Sequence, residues 1–249
     1  MKEIILDKLK EIEEKENVKI LHCVESGSRA WGFASPNSDY DVRFIYVRPK
    51  EFYLRLDKTR DVIEWQLDDT LDINGWDISK ALSLLYKSNP TLFEWNLSPI
   101  IYKTTEEWEL ISKTINDYFN KKSSLYHYLN MTKHNYNAYL KGETVKFKKY
   151  FYVLRPLLAC KWILSEGTPP PMLFSELMDK HLENEIKADV NILLDLKINN
   201  PEIGEGEHFQ NIDLYIERNI SIIENNIKNL PTTYSGWDNL NSLFLSLIL

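Results

Sequence analysis

Between Glu25 and Val47 the chain reads ESGSRAWGFASPNSDYDVRFIYV. Gly27-Ser28 is followed, after a spacer ended by Gly32 and Pro36, by Asp39 and Asp41 at the head of an apolar run. On a strand the two carboxylates would share one face with Cα atoms about 6.6 Å apart. Like charges that close are unfavourable unless a cation lies between them. A hard divalent ion such as Mg²⁺ accepts one or two carboxylates and completes its shell with water and the phosphate oxygens of a substrate. The competing reading is a polar turn in which Ser38 and Asp39 cap backbone groups and Asp41 is solvated. Gly27-Ser28 tips the balance. It follows an apolar strand and precedes residues able to start a helix, an arrangement in which backbone N–H groups and a hydroxyl cradle phosphate.

A third acid is expected on a neighbouring strand. Asp72, within the strand-like LDINGW, is the choice, because an unpaired carboxylate in an apolar segment would be expensive. Asp77 reads as a helix cap; Glu64, Asp68 and Asp69 read as turn or solvated residues. Three converging carboxylates could hold two Mg²⁺ or Mn²⁺ ions about 3.5–4 Å apart, with Asp72 as base or metal ligand nearest the acceptor. In the C-terminal half, Lys148, Tyr152 and Arg155 recur at i, i+4 and i+7 of one helix. Their cations could neutralise phosphate while the ring stacks or hydrogen-bonds. The alternative is a solvated edge with Tyr152 half-buried. Lys141, Lys146, Lys148 and Lys149 add a basic patch where a polyanion could enter.

The elements that must position these groups fall into two kinds. An amphipathic helix through about residue 15, with Ile4, Ile5, Leu9 and Ile12 on its apolar face, precedes the strands VKILHCVE, YDVRFIYV, DVIEWQL and LDINGW. Asp77 and Asn89-Pro90 mark the starts of two further helices. Beyond residue 104 helical periodicity runs almost throughout, and Pro156 inside one such run implies a kink. Strands first and helices afterwards predict an α+β fold with a mixed β-sheet flanked by helices, residues 1–104, and an all-helical domain, residues 105–249, with the site between them.

Composition bounds the function. The 249 residues carry a formal net charge of -7, which argues against a protein that coats duplex nucleic acid. The two cysteines, Cys23 and Cys160, lie in apolar segments and read as buried thiols of a reducing, cytoplasmic compartment. No apolar run approaches the roughly 20 residues of a membrane span. The five histidines lack zinc-ligand spacing, and neither a Walker loop nor a nucleophile elbow is present.

At the residues quoted, the sequence resembles the DNA polymerase β-like nucleotidyltransferase superfamily, whose signature is Gly-Ser, then Asp-x-Asp, then a third Asp on a later strand. It is more particularly similar to the predicted bacterial nucleotidyltransferases called the RNA repair pathway DNA polymerase β family. SGSRAWGFASPNSDYDVRFIYVRP, LDINGWDISKAL, KSNPTLFEWNLSPIIY and YFYVLRPLLACKWI carry the resemblance, over roughly residues 20–165. The resemblance implies that Gly27, Ser28 and Arg29 hold a triphosphate, that Asp39 and Asp41 hold metal and that Asp72 completes the triad. The implied activity is Mg²⁺-dependent transfer of an NMP from an NTP to a hydroxyl, with RNA among the acceptors. Two alternatives share the scaffold: a non-catalytic nucleotide- or RNA-binding regulator, and an enzyme that nucleotidylates a protein or small molecule.

Overall fold

The computed structural model describes residues 1–68, 70–199, 204–231 and 235–249, with backbone alone for 66–68. The expected turn at Asp68-Asp69 falls at Asp69, outside the described residues. In chain order the elements are α1 (Lys2–Glu16), β1 (Lys19–Glu25), α2 (Gly27–Ala30), β2 (Tyr40–Val47), α3 (Lys50–Tyr53), β3 (Val62–Asp68), β4 (Leu71–Asp77), α4 (Ile78–Tyr86), α5 (Pro90–Asn96), β5 (Ile101–Thr104) and α6 (Glu106–Ile115). They continue with α7 (Lys121–Tyr139), β6 (Val145–Lys146), α8 (Lys148–Glu166), α9 (Phe174–His181), α10 (Asn184–Asn199), β7 (Glu205–Gly206), α11 (Gln210–Lys228) and α12 (Asp238–Ile248). Packing divides the chain into two units. One comprises Met1–Ala30, Asp39–Phe119 and Tyr234–Leu249, the other Trp31–Ser38 and Asn120–Thr233. Among the described residues no helix is long and apolar enough to cross a membrane.

The first unit is α+β, as the order of strands and helices predicts. Its mixed sheet runs β3-β4-β2-β1-β5, with β2 and β4 parallel and the other pairs antiparallel. Strand alternation sorts the core onto two faces. Val42, Phe44, Tyr46 and Ile73 pack against Ile5, Leu9 and Ile12 of α1. Ile45 and Val47 pack on the other face against Ile78 and Leu82 of α4, Phe93 of α5, Trp108 and Ile111 of α6 and Leu240 of α12. By the same alternation Asp41 and Arg43 continue the face of Ile45 and Val47.

The second unit is almost wholly helical. α8 is its centre: Phe151, Val153, Leu154, Leu157, Leu158 and Ile163 are all buried. Phe33, from the short segment that this unit takes from the N-terminal half, packs with Phe151 and Phe174 at centroid distances of 4.7 and 5.4 Å. Strands are not confined to the N-terminal half as the sequence suggested, because β6 and β7 pair within this unit. Two-residue strands are too short to leave an alternation.

Candidate active site

Five segments of the first unit, β1, the turn after it, β2, β4 and β5, supply the site at the end of the sheet where β1 stops and β2 begins. β1 ends in Glu25, which is fully buried. Its two carboxylate oxygens are both used: Oε1 accepts the Asp41 backbone N–H at 2.8 Å and Oε2 accepts the Tyr102 hydroxyl. Burial pushes the Glu25 pKa up, against the pull of these two donors. The chain then turns through Ser26, whose N–H donates to the Asp41 carbonyl at 2.8 Å, into the single helical turn of Gly27–Ala30. Gly27 has φ +59°, a left-handed conformation that favours glycine.

Asp41 and Asp72 are direct partners in the parallel register of β2 and β4. Arg43 joins them. Its Nη2 donates to Oδ1 of Asp41 at 2.9 Å and to Oδ2 of Asp72 at 2.8 Å. Its Nη1 donates to the carbonyls of Val42 and Asp72, each at 3.0 Å. Burial raises the Asp41 pKa, Arg43 opposes that shift, and the negative charges of Asp72 and Asp39 reinforce it. The three acids are therefore electrostatically coupled around Asp41.

The sequence expectations meet this geometry unevenly. Asp39 stands one residue ahead of the strand, which begins at Tyr40, and is exposed; the same-face pair within the strand is Asp41 and Arg43. Asp72 lies opposite Asp41, but its side chain is 54 % exposed, so the expense of burial does not explain it. Arg29 donates from Nε to the Asp39 carbonyl at 3.1 Å and lies over the Tyr40 ring at 3.7 Å, which ties the turn to the mouth of β2. Gly27 and Ser28 are partly exposed on that turn.

Lys148, Tyr152 and Arg155 belong to the second unit and share α8. Lys148 is exposed and Tyr152 half-buried, while Arg155 is 3 % exposed, with its guanidinium 4.8 Å from the Trp31 ring centroid. Lys149, read in the sequence only as part of the basic patch, covers the rings of Tyr139 and Tyr152 at 3.9 and 4.7 Å. Pro156 lies within α8.

Sequence reasoning passed over Glu25, Arg43 and Tyr102. Two of them had left a signal. Arg43 follows Asp41 by two residues, so strand period alone assigns it the same face. Glu25 is a charge at the end of an apolar strand, immediately before the glycine turn. Tyr102 lies on β5, a four-residue edge strand.

Among the described residues no three His, Cys, Asp or Glu side chains are close enough together to hold a metal ion. Two carboxylates suffice for Mg²⁺ when phosphate and water complete its shell. Asp39 and Asp41 are oxygen donors of the right hardness, and Gly27, lacking a Cβ, leaves room for the Asp41 carboxylate, of which Arg43 engages only Oδ1. The residues present fit one such ion.

Comparison with known proteins identifies the family. A protein of Bacillus subtilis (strain 168), carried under the name Uncharacterized protein YcgL, is 46% identical over 251 residues, covering 100% of this chain and 96% of that one. A solved nucleotidyltransferase-like protein from Exiguobacterium sibiricum 255-15 is similar at 15% identity, over 88% of this chain and 73% of that one. Its TM-score of 0.29 is too low to carry an argument. The match to the RNA repair pathway DNA polymerase beta family extends over residues 1–246, and to that family the chain belongs.

Proposed function

We propose that this nucleotidyltransferase-like protein transfers an NMP from an NTP to a hydroxyl acceptor and releases pyrophosphate. The observation that carries the reading is the pairing of Asp41 with Asp72 across β2 and β4, beneath a turn where Gly27 alone leaves the Asp41 carboxylate room. In the reaction the acceptor oxygen bonds to the α-phosphorus, the bond from that phosphorus to the β-bridging oxygen breaks, and pyrophosphate departs. Asp39 and Asp41 would hold Mg²⁺ or Mn²⁺, which supplies charge neutralisation to the triphosphate. Glu25 fixes the backbone that carries Asp41, and Gly27, Ser28 and Arg29 form the turn proposed to receive phosphate. Asp72, the more exposed carboxylate, is the proposed acceptor of the hydroxyl proton. Lys148 and Tyr152, with Lys149 beside them, offer charge and a ring surface for nucleotide, and Arg155 orders Trp31 within the same unit. The name of the family favours RNA as the acceptor.

Two observations support a second reading, a nucleotide-binding regulator without catalysis: among the described residues no three acids are close enough for a metal, and an arginine bridges Asp41 and Asp72. A single experiment separates the two. The protein is incubated with each α-labelled NTP, Mg²⁺ or Mn²⁺ and either RNA or protein. Label should enter one fraction with wild type and none with Asp41→Asn, whose melting temperature should stay near that of wild type. NTP binding without label transfer or metal dependence would favour the regulator, and equal labelling by Asp41→Asn would remove the metal role of that residue.

A further inference from the structure

Arg43 deepens this reading of the site. We propose that its guanidinium is a resident cation that takes the position of a second divalent ion between Asp41 and Asp72, so that the chain binds one metal ion, through Asp39 and Asp41. The inference rests on the nucleotidyltransferase reading above and goes beyond it in assigning Arg43 a role and the site a metal count.

Three observations support it. First, a single nitrogen of Arg43 is shared by the two carboxylates, 2.9 Å from Oδ1 of Asp41 and 2.8 Å from Oδ2 of Asp72. An ion bridging those oxygens at about 2.0–2.1 Å would need the same space. Second, Arg43 is not a loosely held surface side chain. Its other terminal nitrogen is anchored by the carbonyls of Val42 and Asp72, each at 3.0 Å, and its side chain is 18 % exposed. Admitting an ion there means displacing a cation held by four charge-assisted hydrogen bonds, two of them to carboxylates. An arginine also keeps its charge at every working pH, so its contribution does not depend on metal supply. Third, Arg43 uses only one oxygen of Asp41. The other, Oδ2, lies under the glycine turn, where an added Cβ on Gly27 would come within 2.0 Å of it. Asp39 stands two residues away at the open mouth of the strand. That leaves one pair of acids for an ion and another pair neutralised by protein.

The test counts Mn²⁺ on the full chain with an equimolar, non-hydrolysable α,β-methylene NTP, from the loss of the free-ion signal in electron paramagnetic resonance. Wild type should take up one ion per chain and show a mononuclear spectrum. Asp72→Asn should also bind one, because Asp72 serves Arg43, whereas Asp39→Asn should lose it. Arg43→Ala should gain a second ion and the exchange-coupled spectrum of two ions about 3.5–4 Å apart. Two coupled ions on wild type, or loss of the ion in Asp72→Asn, would overturn the inference while leaving nucleotidyl transfer standing. No ion on wild type would overturn both. The wild-type and Asp72→Asn counts decide the matter even where Arg43→Ala does not fold.

Discussion

A Cβ atom added to Gly27 would lie 2.0 Å from Oδ2 of Asp41, and 2.9 Å from its Cγ. The contact is with a carboxylate fixed on its other side, since Oδ1 is held by Arg43. Gly27→Ala therefore forces either the turn or Asp41 to move, and at φ +59° it also imposes left-handed strain of about 1–2 kcal/mol. The expected outcome is a folded protein with a lowered melting temperature and no label transfer. A Gly27→Ala variant that transfers label at the wild-type rate would show that the close approach has no functional consequence.

Glu25 is the buried support of the same carboxylate. Glu25→Gln keeps an oxygen for the Asp41 N–H and places an amide opposite the Tyr102 hydroxyl, which can reverse its role and accept. Glu25→Ala leaves both donors unsatisfied in the interior, at a cost of about 2–4 kcal/mol for the pair. Chemical denaturation should place the Gln variant near wild type and the Ala variant well below it. Equal midpoints for the two variants would mean that the bonds to Glu25 carry no stability.

How much of this could be read beforehand follows from which forces are local. The caps at Asp77 and Asn89 are local, and both form: Oδ1 of Asp77 accepts the Ser79 N–H at 2.8 Å and Oδ1 of Asn89 the Thr91 N–H at 3.0 Å. The periodicity of α1 is also local, and it delivers Ile5, Leu9 and Ile12 to the core but leaves Ile4 51 % exposed. Register is not local. That Asp41 meets Asp72 depends on a parallel pairing bridged by α3 and β3, and Arg43 becomes significant only once that pairing exists. The return of α12 to α4, which brings Leu240 into the core of the first unit, is likewise invisible to windowed reading. So is β5, whose four residues IYKT show no clear alternation yet complete the sheet and deliver Tyr102 to Glu25.

His208 gives the second unit a pH dependence. Its Nδ1 is 2.6 Å from Oδ2 of Asp213 and its Nε2 2.8 Å from the Gly142 carbonyl. Both partners are acceptors, so the doubly protonated ring satisfies both. The Gly142 carbonyl and then Asp213 raise its pKa above the ordinary 6.5, with burial and Lys141 opposing. A folded-state pKa above the unfolded value means stabilisation fully present below pH 6.5 and lost as the pH rises through the folded value. Relative to His208→Gln, wild type should hold an advantage in melting temperature at pH 5.5–6 that shrinks towards pH 8.5. An advantage that grows with pH would have the wrong sign for this pair of bonds.

Pro156 has no N–H for the carbonyl of Tyr152, four residues earlier in α8, and Asn135 of α7 donates its Nδ2 to that carbonyl at 2.9 Å. A side chain from the neighbouring helix thus substitutes for a bond the helix cannot make itself. It also fixes the backbone of Tyr152, the residue proposed to offer its ring to nucleotide. Asn135→Ala should cost about 1 kcal/mol, since Asn135 is half-buried and water can partly replace it. Pro156→Ala restores the N–H, so in that background the same substitution at Asn135 should cost markedly less. A double-mutant cycle by thermal or urea denaturation measures the difference. Additive effects would mean that Asn135 does not compensate for the proline.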